Sequence, residues 1–320
     1  MKLYPLKLNY IAKTALWGGS SLKEKYNKIS DCEKLAETWE LSVRKNEKSV
    51  IQNGIYEGRT LEDYIAECGS GVVGDGYGGE RFPLLIKLID ACDSLSVQVH
   101  PDDEFAKTHE DDIGKTEMWY ILDADEGAEL VYGLCDGVDE ERFARAIDEN
   151  DYSSVLRRVK VKAGETYFIP AGMVHAIGAG IRIAEIQQNC DLTYRVYDFD
   201  RVGADGKKRE LHIEKAKAAV KPISDETANG IRFEAKDESD SSATLAHCRY
   251  FKTDLEKISG EREFCADARS FTSILCIDGE GSIICNGEKY PISSGDSYFL
   301  PAAMGKYTLS GQLCALFVTL

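Results

Sequence analysis

Three side chains in this 320-residue chain have the types to hold a metal ion together: His100, Glu117 and His175. Two imidazoles and one carboxylate bind a divalent first-row cation and leave positions open to water or a substrate. Zinc suits such a set, and so would iron, manganese or cobalt. Gln98 stands two residues before His100 on the same face of an alternating stretch, and its amide oxygen could be a fourth ligand. A second constellation lies in the run 185–198, where Thr193, Arg195 and Tyr197 share a strand face. An arginine facing a pocket holds phosphate by charge-assisted, often bidentate hydrogen bonds. Lys115, two residues before Glu117, could reach the same cavity. Taken singly, each has a plainer reading: a buried histidine satisfied by hydrogen bonds, or an exposed salt bridge for Lys115 or Arg195. The joint pattern favours a site. His109, His212 and His247 lack such surroundings and read as two helix-surface residues and one strand residue.

The elements that must carry these groups are mostly strands. Residues 94–101 alternate polar and apolar. Side chains in a strand switch faces at each residue, so Ser96, Gln98 and His100 share one face and Leu95, Val97 and Val99 the other. A polar face with apolar backing fits a strand that lines a wet, ligand-holding cavity. Residues 37–43 alternate in the same way, with Trp39, Leu41 and Val43 on one face, and 82–90 reads as a buried strand. Further strands are expected at 118–122, 155–161, 165–169, 181–187 and 193–197. Helices are expected at 61–67, after Pro101 (where Asp102, Asp103 and Glu104 make an acidic first turn), at 138–149 with Phe143, Ala146 and Ile147 inward, and at 210–220. Residues 223–243 are polar and read as a linker, and 244–320 as short strands separated by turns. Gly74, Gly76 and Gly79 formally satisfy G-x-G-x-x-G, but no helix opens from them before Pro83, so a mobile surface loop is the better reading.

Bulk properties narrow the function classes. Length favours two domains. A net charge of −16 argues against nucleic acid or an anionic membrane as partner, while a small anionic substrate needs only a few pocket cations. No apolar run approaches a membrane span, and the first residues carry no secretory signal, so a cytoplasmic protein is expected. The ten cysteines include no Cys-x-x-Cys pair and read as buried small hydrophobes.

A repeat is hidden in the turns. Residues 163–175 and 294–306 share, in register, a glycine, an acidic residue, an aromatic pair, proline, alanine and methionine. Two copies of one β unit fit two similar β domains. They differ where chemistry would sit, since Lys306 answers His175, so the second copy should keep the fold and hold no metal. The first copy matches the second half of the cupin pattern through Gly164, Pro170, Gly172 and His175. Gly178 and Ala179 occupy the place of its usual downstream asparagine, and Glu117 follows His100 at unusual distance, which a short helical insertion would explain. The expected class is mainly β: two cupin-like jelly-roll β-barrel domains with a few short helices. Residues 1–230 would form a metal-binding catalytic unit with helical insertions, and 231–320 a degenerate unit.

In combination, the stretches 37–42, 95–101, 114–117, 170–178 and 191–198 resemble type I mannose-6-phosphate isomerase in its short bacterial form. The resemblance implies a zinc enzyme, one ion per chain, interconverting mannose 6-phosphate and fructose 6-phosphate through an enediol. It places the metal ligands at Gln98, His100, Glu117 and His175, the active-site arginine at Arg195, the lysine before the glutamate ligand at Lys115, a substrate-binding serine at Ser96 and an acidic residue at Asp191. The general acid or base stays open among Asp191, Arg195, Lys115 and a metal-bound water. The long form's helical domain has no counterpart here. A monomer or weak homodimer is expected. Two rivals share the triad: an iron-dependent cupin oxygenase, which would not need Lys115 and Arg195, and a non-catalytic double cupin that binds sugar phosphate.

Overall fold

The structure is a computed structural model that describes residues 2–79, 81–203, 206–223 and 241–320. The expected boundary at 230/231 and most of the expected linker lie outside these residues. The protein is mainly β, and among the described residues every strand pair is antiparallel.

Two sheets position the candidate site. The six-stranded sheet runs in the order Thr166–Ile169, Glu117–Ala124, Ile181–Gln188, Leu84–Ala91, Glu37–Leu41 and Ile11–Lys13. The five-stranded sheet runs Leu156–Lys160, Glu129–Leu134, His175–Ile177, Val97–Val99 and Tyr194–Tyr197. Ile89, Trp119, Ile121 and Ile183 of the first pack with Leu130, Tyr132 and Ile177 of the second, so a core lies between the sheets. The outer face of the five-stranded sheet is covered by helices Glu140–Asp148 and Ile213–Ala219, which bury Phe143, Ala146, Ile147 and Ala216 against Val97, Val99 and Val196. The alternation of 94–101 therefore separates helix-backed valines from polar residues facing the interior. Each fully buried Val, Leu, Ile or Phe contributes about 1.5–3 kcal/mol, so this backing holds the polar face in place.

The helix expected after Pro101 is Asp103–His109, and Asp102 caps it by accepting the Phe105 N–H at 2.8 Å. It is the insertion between the first two candidate ligands. Strand Glu37–Leu41 departs from simple alternation: it is covered on both faces, and a bulge between Trp39 and Leu41 shifts its register.

The C-terminal part forms a seven-stranded sheet in the order Leu6–Leu8, Ser297–Leu300, Thr272–Cys285, Gly305–Thr319, Lys252–Ala266 and Ser242–His247, with Glu288–Ser293 also paired to Thr272–Cys285. Three of these strands have 14 or 15 residues, not the short strands expected. Glycines lie inside them: Gly260 pairs with Gly311, and Gly311 with Gly281. A Cβ on Gly281 would meet Ser310 O at 2.4 Å. Mid-strand glycine lets neighbouring backbones approach closely and bend without ending the ladder. The six-stranded sheet packs its other face on this part, with Ile86, Leu88, Met118 and Ile186 against Phe299, Leu316 and Val318.

The repeat is structural. Thr166–Ile169 and Ser297–Leu300 are equal strands entered through Gly164 at φ +88° and Gly295 at φ +89°. Ala303 keeps the positive φ of Gly172. Where His175 is buried, Lys306 points to the surface and pairs with Glu263 at 2.7 Å. Gly74, at the head of the glycine-rich stretch, abuts Arg269 and Ser270, and Asp75 N–H donates to Ala268 O, so this end is packed down rather than loose. The cysteines are mixed: Cys190, Cys276 and Cys285 are buried, but Cys32, Cys92 and Cys265 are exposed, the first two in connections and Cys265 near the end of strand Lys252–Ala266.

Candidate metal centre and its cavity

His175 opens its strand and pairs in register with Gln98 on one side and Tyr132 on the other. His100 follows the Val97–Val99 strand, and Glu117 begins the facing strand of the other sheet. The two sheets thereby bring all three groups together. Their ligand atoms lie within 4.8 Å of one another, and all three residues are buried. His100 Nε2 is 3.6 Å from Glu117 Oε2, and His175 Nε2 is 3.5 Å from Glu117 Oε1. Two ligands about 2.0–2.1 Å from a shared tetrahedral ion stand about 3.4 Å apart, so these spacings fit. His100 Nδ1 lies 2.7 Å from Leu192 O, and His175 Nδ1 lies 2.9 Å from Met173 O. A proton on each Nδ1 makes both bonds and leaves each Nε2 lone pair facing the centre. Burial lowers the pKa of both rings, His175 to about 4, so both are neutral at neutral pH. Glu117 Oε1 is buried without a hydrogen-bond partner, an arrangement that costs free energy unless a cation satisfies it. No other cluster of three such ligand residues occurs among the described residues.

Gln98 reaches the edge of the centre: its amide nitrogen lies 3.4 Å from His175 Nε2, and its Oε1 accepts from Ser96 Oγ at 3.4 Å. A half-turn of the amide presents the oxygen instead. Lys115 Nζ donates to Glu117 Oε2 at 2.5 Å and lies 3.1 Å from His100 Nε2.

Gln98 and Lys115 also line a cavity of about 310 Å³, together with Ser96, Asp191, Thr193 and Arg195. That volume suits a small ligand. His100, Glu117 and His175 are thus at the centre, and Ser96, Gln98, Lys115, Asp191, Thr193 and Arg195 line this cavity. Tyr197 does not: a register shift after Arg195 turns it away, and it stacks on Tyr152 at 4.6 Å. His212 has a sharper role than expected, since its Nδ1 accepts the Arg195 backbone N–H at 3.3 Å.

The cavity holds charges that the sequence reading passed over: Glu37, Lys87, Glu185 and Arg209. Lys87 pairs in register with Trp39 and Glu185, and Glu185 with Trp119, so one row crosses four strands. Lys87 Nζ is 3.0 Å from Glu185 Oε1 and 3.7 Å from Glu37 Oε2. The Trp119 indole donates to Glu185 at 2.9 Å, and the Trp39 indole to Glu37 at 2.7 Å. The signal was available: a lone Lys or Glu inside an apolar strand is costly unless another strand supplies its partner. Burial opposes ionisation of Glu185, but Lys115 and Lys87 outweigh it and hold its pKa at about 2. Burial and Glu185 push Glu117 up to about 7 against Lys115. Burial likewise opposes the charge on Lys115, and Glu117 and Glu185 outweigh it. When all are ionised, two lysines face three carboxylates, and the negative surplus favours a cation beside Glu117. A larger depression of about 790 Å³ on the seven-stranded sheet is open, lined by Gly260, Gly281 and Gly311, and has no imidazole.

Residues 5–143 match the family model for the type I phosphomannose isomerase catalytic domain, and 241–320 that for the mannose-6-phosphate isomerase cupin domain. The mannose-6-phosphate isomerase ManA of Bacillus subtilis is 38% identical over 312 residues, covering 97% of each chain. This chain belongs to the mannose-6-phosphate isomerase family. The Streptococcus mutans mannose-6-phosphate isomerase is 36% identical over 97% of this chain and 96% of its own. The crystal structure of the Bacillus subtilis mannose 6-phosphate isomerase superposes with a TM-score of 0.91 at 36% identity, covering 99% of both chains. A putative mannosephosphate isomerase from Archaeoglobus fulgidus, at 18% identity and TM-score 0.78, shares the fold. The cupin class and the isomerase family expected from the motifs are both met.

Proposed function

We propose that this isomerase interconverts mannose 6-phosphate and fructose 6-phosphate through an enediol, with one zinc ion held by His100, Glu117 and His175 and completed by Gln98. The observation that carries the reading is the convergence of two neutral imidazoles and an orphaned carboxylate beside a cavity lined by Lys115, Asp191 and Arg195. The bound ion would supply Lewis acidity that lowers the cost of negative charge on the sugar's oxygens.

The chain's own groups do the rest. Lys115, kept cationic by its two carboxylates, stabilises developing oxyanion charge electrostatically and by hydrogen bonding. Asp191 lines the cavity with no ion-pair partner among the described residues, which leaves its carboxylate free to carry the proton between C1 and C2. Arg195 lines the same cavity with its Nε buried and unpartnered, and it holds the phosphate with Ser96. The buried Trp119–Glu185–Lys87 row keeps the floor rigid. The same proposal has a sugar phosphate as the one partner, a cytoplasmic setting, no nucleic acid or membrane, a catalytic unit over 1–230, a metal-free unit over 231–320, and a monomer or weak homodimer. Among the described residues no helix is long and apolar enough to cross a membrane.

The test is turnover of mannose 6-phosphate before and after chelation, with zinc, iron, manganese and cobalt added back singly. Loss on chelation and recovery with zinc are expected. Oxygen uptake with iron and no fructose 6-phosphate would overturn the reading in favour of an oxygenase.

A further inference from the structure

The cavity has two electrostatic ends. At the inner end, Lys87 and Lys115 are committed to Glu37, Glu117 and Glu185. The outer end is different. Arg195 has no carboxylate within 4.0 Å among the described residues; its Nη1 donates to Glu210 O at 2.8 Å, and its Nε is buried without a partner. Beside it, Arg209 lines the cavity and donates through Nε to Asp198 Oδ2 at 2.7 Å and through Nη2 to Asp198 Oδ1. Its Nη1 makes no hydrogen bond within the described residues.

Asp198 does not neutralise Arg209, because it is shared. Arg201 Nη2 donates to the same Oδ1 at 2.5 Å. Arg201 is otherwise engaged, with Ser94 O and with Asp93 at 3.7 Å, and it does not line the cavity. Arg201 and Arg209 thus share one buried carboxylate and Arg201 faces Asp93 as well, so with Arg195 three guanidiniums stand against two carboxylates, one positive charge in excess. The excess is aimed at the cavity by Arg195 and Arg209. Burial lowers the Arg195 pKa, and repulsion from Arg209 is the next cause, so the two cations are close. Their spacing is fixed by backbone: His212 N–H donates to Arg195 O at 2.8 Å, which lays residues 209–212 beside the Tyr194–Tyr197 strand. Two neighbouring guanidiniums with unused donors are relieved by an anion with several acceptor oxygens.

We propose that Arg209 is a second phosphate-binding residue, which selects phosphorylated over free sugar, and that Asp198 is its positioning residue. The inference rests on the sugar-phosphate reading, and inorganic phosphate tests it without turnover. Calorimetric Kd values for inorganic phosphate would be compared in the wild type, Arg209→Gln, Arg209→Lys and Arg201→Gln. Losing one charge-assisted contact should weaken binding roughly 10–100-fold in Arg209→Gln. Arg209→Lys should recover part of this. Arg201→Gln, which removes the other partner of Asp198 but no cavity group, should stay within about threefold of the wild type, less than one charged contact is worth. In the steady state, Arg209→Gln should raise KM for mannose 6-phosphate by the same factor with little change in kcat. Equal Kd values in the wild type and Arg209→Gln would overturn the proposal. So would an Arg201→Gln effect as large as that of Arg209→Gln, which would assign the effect to Asp198 packing. A wild type that binds phosphate through Arg209 but turns over no sugar would refute the proposed reaction and leave the anion site standing.

Discussion

Lys115 and Glu117 stand two residues apart, with Nζ 2.5 Å from Oε2, so the lysine proposed to stabilise the oxyanion donates to the carboxylate that is also a candidate metal ligand. Replacing Lys115 by Met removes the charge and keeps the stem. We expect kcat to fall roughly a hundredfold or more, the usual worth of a positioned acid or electrostatic partner. Bound metal, measured by elemental analysis, should be retained, because both imidazoles and the carboxylate remain.

The row from Trp39 to Trp119 makes a stability prediction. Lys87 is buried, and its loss strands Glu185. Lys87→Met should destabilise the fold by about 3–5 kcal/mol, as breaking one side of a buried pair does. Urea unfolding would measure it, and a loss below about 1 kcal/mol would place the pair in the range of exposed ones.

Burial holds His175 at about 4, below its ordinary 6.5. As pH falls through 6.5 the unfolded chain takes up a proton that the folded, metal-free protein refuses until about pH 4. Stability from this group is therefore constant above 6.5 and declines between 6.5 and 4, by about 1.4 kcal/mol per unit. The urea midpoint of metal-free His175→Gln should fall less steeply than that of the metal-free wild type over this window. Equal slopes would show that the imidazole is not desolvated.

Gly172 links the two histidine loops. Its N–H donates to His100 O at 2.8 Å, its φ is +92°, and a Cβ there would meet Lys221 Cγ at 2.8 Å. Gly172→Ala should cost about 1–2 kcal/mol for the left-handed backbone. By loosening the support behind His100 it should also weaken metal binding roughly tenfold, measured by competition with a chelator. Unchanged affinity would show that the loop does not set the ligand positions.

What could be read from the sequence was local. The alternation of 94–101 and the Pro170-to-His175 turn specify their strands through neighbouring residues, and the metal triad follows from them. Lys87 and Glu185 escaped because their strands are covered on both faces, which erases the period-two signal. Their pairing depends on register between strands about a hundred residues apart. Arg209 escaped because it lies outside any regular element, and only the turn back to Arg195 brings it to the cavity. The long strands of 252–319 escaped for another reason: Gly260, Gly281 and Gly311 face one another across the ladder and bend these strands without ending them.

Leu6–Leu8 lies against Ser297–Leu300, so the first strand is laid down beside one of the last. On the ribosome that segment must wait for almost the whole polypeptide before its ladder can close, a pairing of very high sequence separation and therefore slow to form. A protease nick within the middle of the chain would accordingly leave two pieces laced together through their far ends.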